Sequence, residues 1–115
     1  MGFPLSGVAL ASAARTTSGS VELPIGLGDF DRQAVYINIS AVSGTTPTID
    51  FFLEDGTDGT LWFPLATTPQ QTAVAALAIR NSNAAGTRMR LRWVIGGTTP
   101  SFTFSVLFSG QRDGT

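Results

Sequence analysis

The side chains that most often carry enzyme chemistry are missing from this sequence. Its 115 residues include no histidine and no cysteine, which removes the usual base near neutral pH, thiol nucleophiles and the commonest zinc ligands. All seven basic residues are arginine, so no lysine is available as a nucleophile. We therefore expect a protein that is not an enzyme and that needs no cofactor, metal or small-molecule substrate.

Four carboxylates lie close together in the sequence, at Asp50, Glu54, Asp55 and Asp58. On a strand, Asp50 and Glu54 would share a face about 13 Å apart, whereas the two carboxylates of a glycosidase lie about 5–9.5 Å apart. A calcium site would need six to eight oxygen ligands, only part of which this cluster and its turn carbonyls supply. The spacing favours solvated strand and turn residues over a catalytic pair or a calcium site.

Arginine recurs at every second position in Arg88, Arg90 and Arg92, which we call the arginine stripe. Because side chains alternate between the faces of a strand, the three guanidinium groups should share one face. This face is either solvated and paired with acidic neighbours such as Asp50 or Glu54, or a subunit interface, where arginine is enriched. At a net charge of −1 the stripe is a small footprint for nucleic acid, which we do not expect as a partner.

The arginine stripe belongs to a pair of alternating segments, residues 88–95 and 101–108, joined by the turn-like sequence of residues 96–100. We predict a hairpin whose apolar side chains form the centre of the core. The sequence Gly-Thr-Thr-Pro in this turn is also found at 44–47, 53 residues before it. The repeat predicts two related hairpins that face each other across a sandwich, with independent selection of the same turn sequence as the alternative. The side chains expected in the core are Val35, Ile37, Ile39, Ala41, Ile49, Phe51, Leu53, Met89, Leu91, Trp93, Ile95, Phe102, Phe104, Val106 and Phe108.

Turn signals divide the chain into about eight short strands, which is typical of an all-β sandwich or jelly roll. Residues 72–80 are rich in alanine and compatible with a helix, but their all-β neighbours favour a strand. We predict an extended N-terminal arm over 1–17 and a single β-sandwich domain over 18–115. The predicted strands cover residues 8–14, 21–27, 34–42, 48–54, 60–65, 72–80, 88–95 and 101–108. No apolar run reaches the ~18 residues of a membrane-spanning helix, so no membrane partner is expected.

Three aromatic residues are candidates for stacking on a sugar ring. Trp93 shares the apolar face of its strand and is expected in the core. Trp62 follows a turn, and together with Tyr36 it would suit a carbohydrate-binding module.

Several short motifs, in their order, resemble a family of small virion-associated proteins of tailed bacteriophages. The motifs are LASAARTT at 10–17, ISAVSGTTPT at 39–48, DGTLW at 58–62, RLRW at 90–93 and SFTFSV at 101–106. The resemblance implies a β-sandwich structural protein of the particle without catalytic residues. We interpret it as a capsid decoration (cement) protein, made in the host cytoplasm and located on the capsid surface of the virion. A neck, tail or fibre component and a carbohydrate-binding β-sandwich module are the alternatives.

This interpretation predicts the partners and the surfaces that meet them. The partners would be the major capsid protein or other virion proteins, and the chain itself would form a homo-oligomer, a dimer or trimer. The N-terminal arm and the arginine stripe would supply the contacts. The residues predicted at the partner interface are Phe3, Leu5, Val8, Leu10, Arg15, Arg88, Arg90 and Arg92.

Overall fold

The computed structural model of the protein describes residues 3–24, 27, 30–82 and 85–112, of which 3–5 and 112 are described by their backbone alone. The predicted all-β class is confirmed, since all the elements found form one antiparallel sheet of six strands. The strands are β1 (Phe3–Arg15), β2 (Gly19–Glu22), β3 (Arg32–Gly56), β4 (Phe63–Thr67), β5 (Ala75–Asn81) and β6 (Arg88–Arg112).

A ribbon of two 25-residue strands, β3 and β6, organises the sheet. The two strands pair antiparallel along their whole length, from Arg32 opposite Gln111 to Gly56 opposite Arg88. At one end β1 and β5 flank the ribbon, and at the other end β2 and β4 flank it. We call these the first half (β1, β5 and residues 32–42 and 102–112) and the second half (β2, β4 and residues 49–56 and 88–95).

The two halves pack face to face, because aromatic rings from both meet in the core. The ring of Phe104 in the first half lies 5.3 Å from the ring of Phe51 in the second half, at 85° to it. Trp93, also in the second half, meets Phe104 edge-on at the same distance. On β3, Ile39 pairs with Phe104 and precedes Phe51 by twelve residues, which is about 40 Å of extended strand. The ribbon must therefore double over to close a sandwich.

The alternating pattern of the sequence correctly predicts which side chains form this core. Every predicted inward residue is buried except two, since Ile95 is only partly buried and Ala41 is exposed. The expectation for Ala41 is wrong because the pairing of β3 with β6 shifts by one residue between Ile39 and Ala41. A one-residue shift reverses the face to which a strand side chain points. Leu23, Leu27 and Ile79 complete the core.

The two Gly-Thr-Thr-Pro segments correct the hairpin prediction. Neither segment reverses the chain. Instead they lie opposite each other in the ribbon, with Ser43 beside Ser101 and Thr48 beside Gly96. Each sequence repeat therefore contributes one strand to each half, and the four predicted strands on either side of the two segments merge into β3 and β6. We call residues 43–48 and 96–101 the twin corner.

The backbone of the twin corner has nearly the same conformation in both copies. Gly44 and Gly97 have φ of 112° and 111°, and Thr46 and Thr99 have φ of 47° and 45°. A two-residue type I′ hairpin turn needs two successive residues with positive φ, whereas here one threonine with negative φ separates them. A β-carbon on Gly44 would lie 2.6 Å from the carbonyl oxygen of Thr99, and one on Gly97 would lie 2.6 Å from that of Thr46. Both positions thus require glycine.

The N-terminal segment predicted as an arm is extended, but it lies in the sheet. From Phe3, opposite Arg112, to Arg15, opposite Phe102, β1 pairs with β6 and has two bulges. The prediction of a strand in the alanine-rich segment is confirmed by β5, which pairs with residues 33–39 of β3. The segment predicted as strand 21–27 differs, because β2 ends at Glu22 and two of its residues lie outside the described chain. No helix in the described chain has the length and hydropathy to cross a membrane.

Candidate binding surfaces

The arginine stripe lies on the outer face of the second half, where it is paired with glutamates. Arg88 donates through Nε and Nη2 to the two carboxylate oxygens of Glu22 on β2, over 2.7 and 2.8 Å. Hydrogen bonding and charge from Arg88 lower the pKa of Glu22, and Glu22 in turn raises the pKa of Arg88. Such two-point pairs fix the orientation of the guanidinium as well as its charge.

The other two arginines of the stripe share Glu54 on the neighbouring strand β3. Arg90 Nε lies 2.7 Å from one carboxylate oxygen of Glu54, and Arg92 Nε lies 3.2 Å from the other. The guanidinium carbon of Arg90 lies 4.7 Å above the ring of Trp62, and that of Arg92 lies 4.3 Å above Phe52. Glu54 is buried, at 8% exposed. These ion pairs and cation–π contacts therefore cover the outer face of the second half. Of the two acidic partners expected on a solvated face, Glu54 pairs with the stripe, whereas Asp50 accepts a hydrogen bond from Gln70.

Arg15, also predicted at an interface, fastens the end of β1 to the core. Its guanidinium donates to the carbonyl oxygens of Ala11, Ala13 and Phe104 at 2.8, 2.9 and 2.6 Å. It also lies 4.5 Å above the ring of Phe104 and 5.9 Å from the ring of Trp93. Burial lowers the pKa of Arg15 below its ordinary value. All of these contacts stabilise the fold, and none of them needs a partner.

The outer edge of β1 is open in the described chain, because the strand pairs with β6 on one side only. Between Phe3 and Ala14 this edge carries no charged residue. Val8 is 62% exposed and Leu10 is partly buried, whereas the side chains of Phe3 and Leu5 lie outside the described part of the structure. Of the predicted interface residues whose side chains are described, Val8 is therefore the most exposed apolar one.

Two of the four clustered carboxylates, Asp55 and Asp58, serve turns and loops. Asp58 accepts hydrogen bonds from the backbone of Thr60 and Leu61 at 2.9 and 3.0 Å, and these bonds lower its pKa. Asp55 accepts from the backbone of Gly86 at 2.7 Å. Within the described residues no three histidine, cysteine, aspartate or glutamate side chains come together as metal ligands would.

The aromatic residues Tyr36 and Trp62 do not form a common platform. Trp62 stacks with Arg90 on the outer face of the second half. Tyr36 lies on the outer face of the first half, since its neighbours Val35 and Ile37 are buried in the core. Trp93 is buried as predicted.

A cleft of about 480 Å³ opens beside Tyr36 on the outer face of the first half. Its floor includes the small side chains of Ala34 on β3 and Ser109 on β6, and Arg80 of β5 lies beside Ala34. The guanidinium carbon of Arg80 lies 5.8 Å from the centre of the Tyr36 ring. Sequence analysis missed this site because Tyr36 and Arg80 are 44 residues apart, and only the pairing of β3 with β5 brings them together.

Comparisons with known proteins show what fold the chain shares. The structure is similar to that of the PBSX exported protein XepA, with a TM-score of 0.63 and 16% identity over 96% of this chain and 38% of that one. It is also similar to the CBM22-1 xylan-binding domain from Paenibacillus barcinonensis Xyn10C, with a TM-score of 0.53 and 13% identity over 99% of this chain and 87% of that one. No family model and no curated protein matches the sequence. The chain thus shares its fold with both proteins, and it spans about two fifths of the length of the PBSX exported protein.

Proposed function

We propose that this chain is a structural protein of a tailed-bacteriophage particle, and specifically a decoration protein that binds the outside of the head shell. Three observations support the proposal. The order of its motifs resembles virion-associated proteins, its fold is similar to part of the PBSX exported protein XepA over 96% of this chain, and the arginine stripe is paired with glutamates of the same chain. The partners are then the major capsid protein and further copies of this chain.

The observation that carries the proposal is the open edge of β1. Exposed edge strands pair readily with other chains, and proteins usually blunt them with charged residues, proline or short length. This edge is 13 residues long, and its single charged side chain, Arg15, turns back onto the backbone of its own strand. Pro4 blunts only its first residues, and the two bulges lie beyond Val8, so the segment from Leu5 to Val8 is the part of the edge best suited to pairing. We propose that a strand of the shell protein pairs with β1 by β-augmentation, which forms main-chain hydrogen bonds along the edge.

The arginine stripe has a smaller part in this proposal than the sequence predicts. Its three guanidinium groups are paired with Glu22 and Glu54, so a partner would have to compete with contacts already formed. We assign it to stability of the second half, and we assign shell contact to Val8 and the backbone of β1.

Binding to isolated shells tests the proposal. Head shells assembled without this protein are mixed with purified chain, and occupancy is measured by sedimentation. Val8→Lys places a charge on the open edge and should reduce occupancy at least tenfold. Val74→Lys is the matched control, because Val74 is 61% exposed but lies outside the strands, and it should bind as the unmodified chain does. Equal occupancy for both variants would contradict the assigned edge, and no binding of the unmodified chain would contradict the decoration role.

A further inference from the structure

The cleft beside Tyr36 has the composition of a ligand-binding site that is independent of the β1 edge. Its volume of about 480 Å³ is within the range of small-ligand sites. A second depression of about 290 Å³ adjoins it on the far side of the same tyrosine, next to Ala78 and Leu107. Tyr36 therefore stands in the middle of an elongated groove and offers its partly exposed ring to both parts.

The charge of the cleft selects an anionic ligand. Arg80 lines it, and no aspartate or glutamate is among the described residues that do. Arg32 lines it as well, but Arg32 already has an interaction of its own. Arg80 forms no ion pair within the described chain, in contrast to the arginines of the stripe. The planar guanidinium group matches a carboxylate with two parallel hydrogen bonds.

The position of the groove on the sheet favours a sugar over a peptide. The groove lies on the outer face of β3, β5 and β6, and its centre at Tyr36 is on β3, whose backbone is paired with β5 on one side and β6 on the other. A peptide centred on Tyr36 would find no free main-chain donors there, and peptides that bind sheets do so at an edge. A pyranose instead needs an aromatic ring to stack on and polar side chains for its hydroxyl groups, which Tyr36, Ser109 and Gln111 supply.

We propose that this groove binds an elongated oligosaccharide that carries carboxylate groups. One sugar ring stacks on Tyr36, and the carboxylate of that sugar or of its neighbour accepts hydrogen bonds from Arg80. This inference goes beyond the structural role proposed above and does not depend on it.

Calorimetry with defined oligosaccharides tests the inference on the full chain. The probe is an oligogalacturonate, and the matched control is the same oligosaccharide with its carboxylates methyl-esterified. We expect the acid form to bind at least tenfold more tightly than the ester. We also expect that binding weakens as salt rises, because the ion pair is exposed.

Three variants assign the binding to the groove. Arg80→Gln and Tyr36→Ala should each weaken binding of the oligogalacturonate about tenfold or more, whereas Arg88→Gln, on the other half of the sheet, should leave binding unchanged. Arg80 is exposed, so Arg80→Gln should fold normally, and thermal unfolding checks both groove variants. No binding of either probe, equal binding of the ester, or binding that survives Arg80→Gln would overturn the proposal. So would equally tight binding of oligoglutamate, which would identify the ligand as an acidic peptide.

Discussion

The outer faces of the two sheet halves hold their arginines in different surroundings. On the second half, Arg88, Arg90 and Arg92 are held by two glutamates, and two of them also lie on aromatic rings. On the first half, Arg80 lies near one tyrosine and has no ion pair within the described chain. The number of arginines on a face is therefore a poor guide to binding. What distinguishes Arg80 from the arginine stripe is whether the protein itself already satisfies the charge.

Both faces depend on the twin corner, so the largest effect should come from breaking it. We expect Gly44→Ala and Gly97→Ala each to lower the free energy of unfolding by about 3 kcal/mol, because each forces an alanine to a positive φ and against a backbone oxygen. Because the two copies of the corner have nearly the same backbone conformation, the two losses of unfolding free energy should agree within about 0.5 kcal/mol. Urea unfolding measures these values.

Thr45→Ala and Thr98→Ala are the controls for the twin corner. Both threonines are exposed, and each should change stability by less than about 0.5 kcal/mol. A Gly97→Ala variant as stable as the unmodified protein would show that the corner tolerates a side chain and would contradict its described geometry.

Removing one charge from each outer face compares the two faces directly. Glu54→Gln should lower the free energy of unfolding by about 2 kcal/mol, because Arg90 and Arg92 then lose the carboxylate that they share. This is less than the cost of breaking a fully buried ion pair, since both arginines are partly exposed. Arg80→Gln on the other face should change stability by less than about 0.5 kcal/mol. If the two variants have equal stability in thermal and urea unfolding, the two faces do not differ as described.

The smallest effect should come from the pair of Arg88 with Glu22, and acid should abolish it. The pKa of Glu22 is lowered in the folded state, so the pair contributes stability above the ordinary glutamate pKa of about 4.3 and loses it as the pH falls through the lowered value. The difference in Tm between the unmodified protein and Arg88→Gln should therefore be largest near neutral pH and should disappear in acid. A difference that stays constant with pH would show that charge pairing is not its cause.

Much of the fold could be predicted from the sequence, because alternation is a local property of a strand. Phe51, Trp93 and Phe104 each lie among residues of period two, and all three are buried as predicted. The strand at Ala75–Asn81 was likewise predictable from its all-β neighbours.

The path of the chain through the twin corner could not be predicted in this way. A Gly-Thr-Thr-Pro sequence indicates a residue with positive φ, but a hairpin turn and a corner in a continuous strand both need one. Which of the two forms depends on the segment that pairs with it, and that partner lies 53 residues away.

The binding surfaces could not be fully predicted from the sequence for the same reason. Glu54 could be anticipated as a partner of the arginine stripe, but Glu22 could not, because β2 reaches Arg88 and Arg90 only through pairing with β6. The cleft beside Tyr36 likewise depends on the pairing of β5 with β3. Contacts between strands that are distant in sequence therefore determine the surfaces, whereas local patterns are enough to identify the core.

A cryo-EM reconstruction of the complete particle tests the proposed function most directly. We expect density for this sandwich on the outside of the head shell, with β1 beside a strand of the major capsid protein. Density for the chain in the neck, tail or fibre, or on the head with β1 facing solvent, would contradict it.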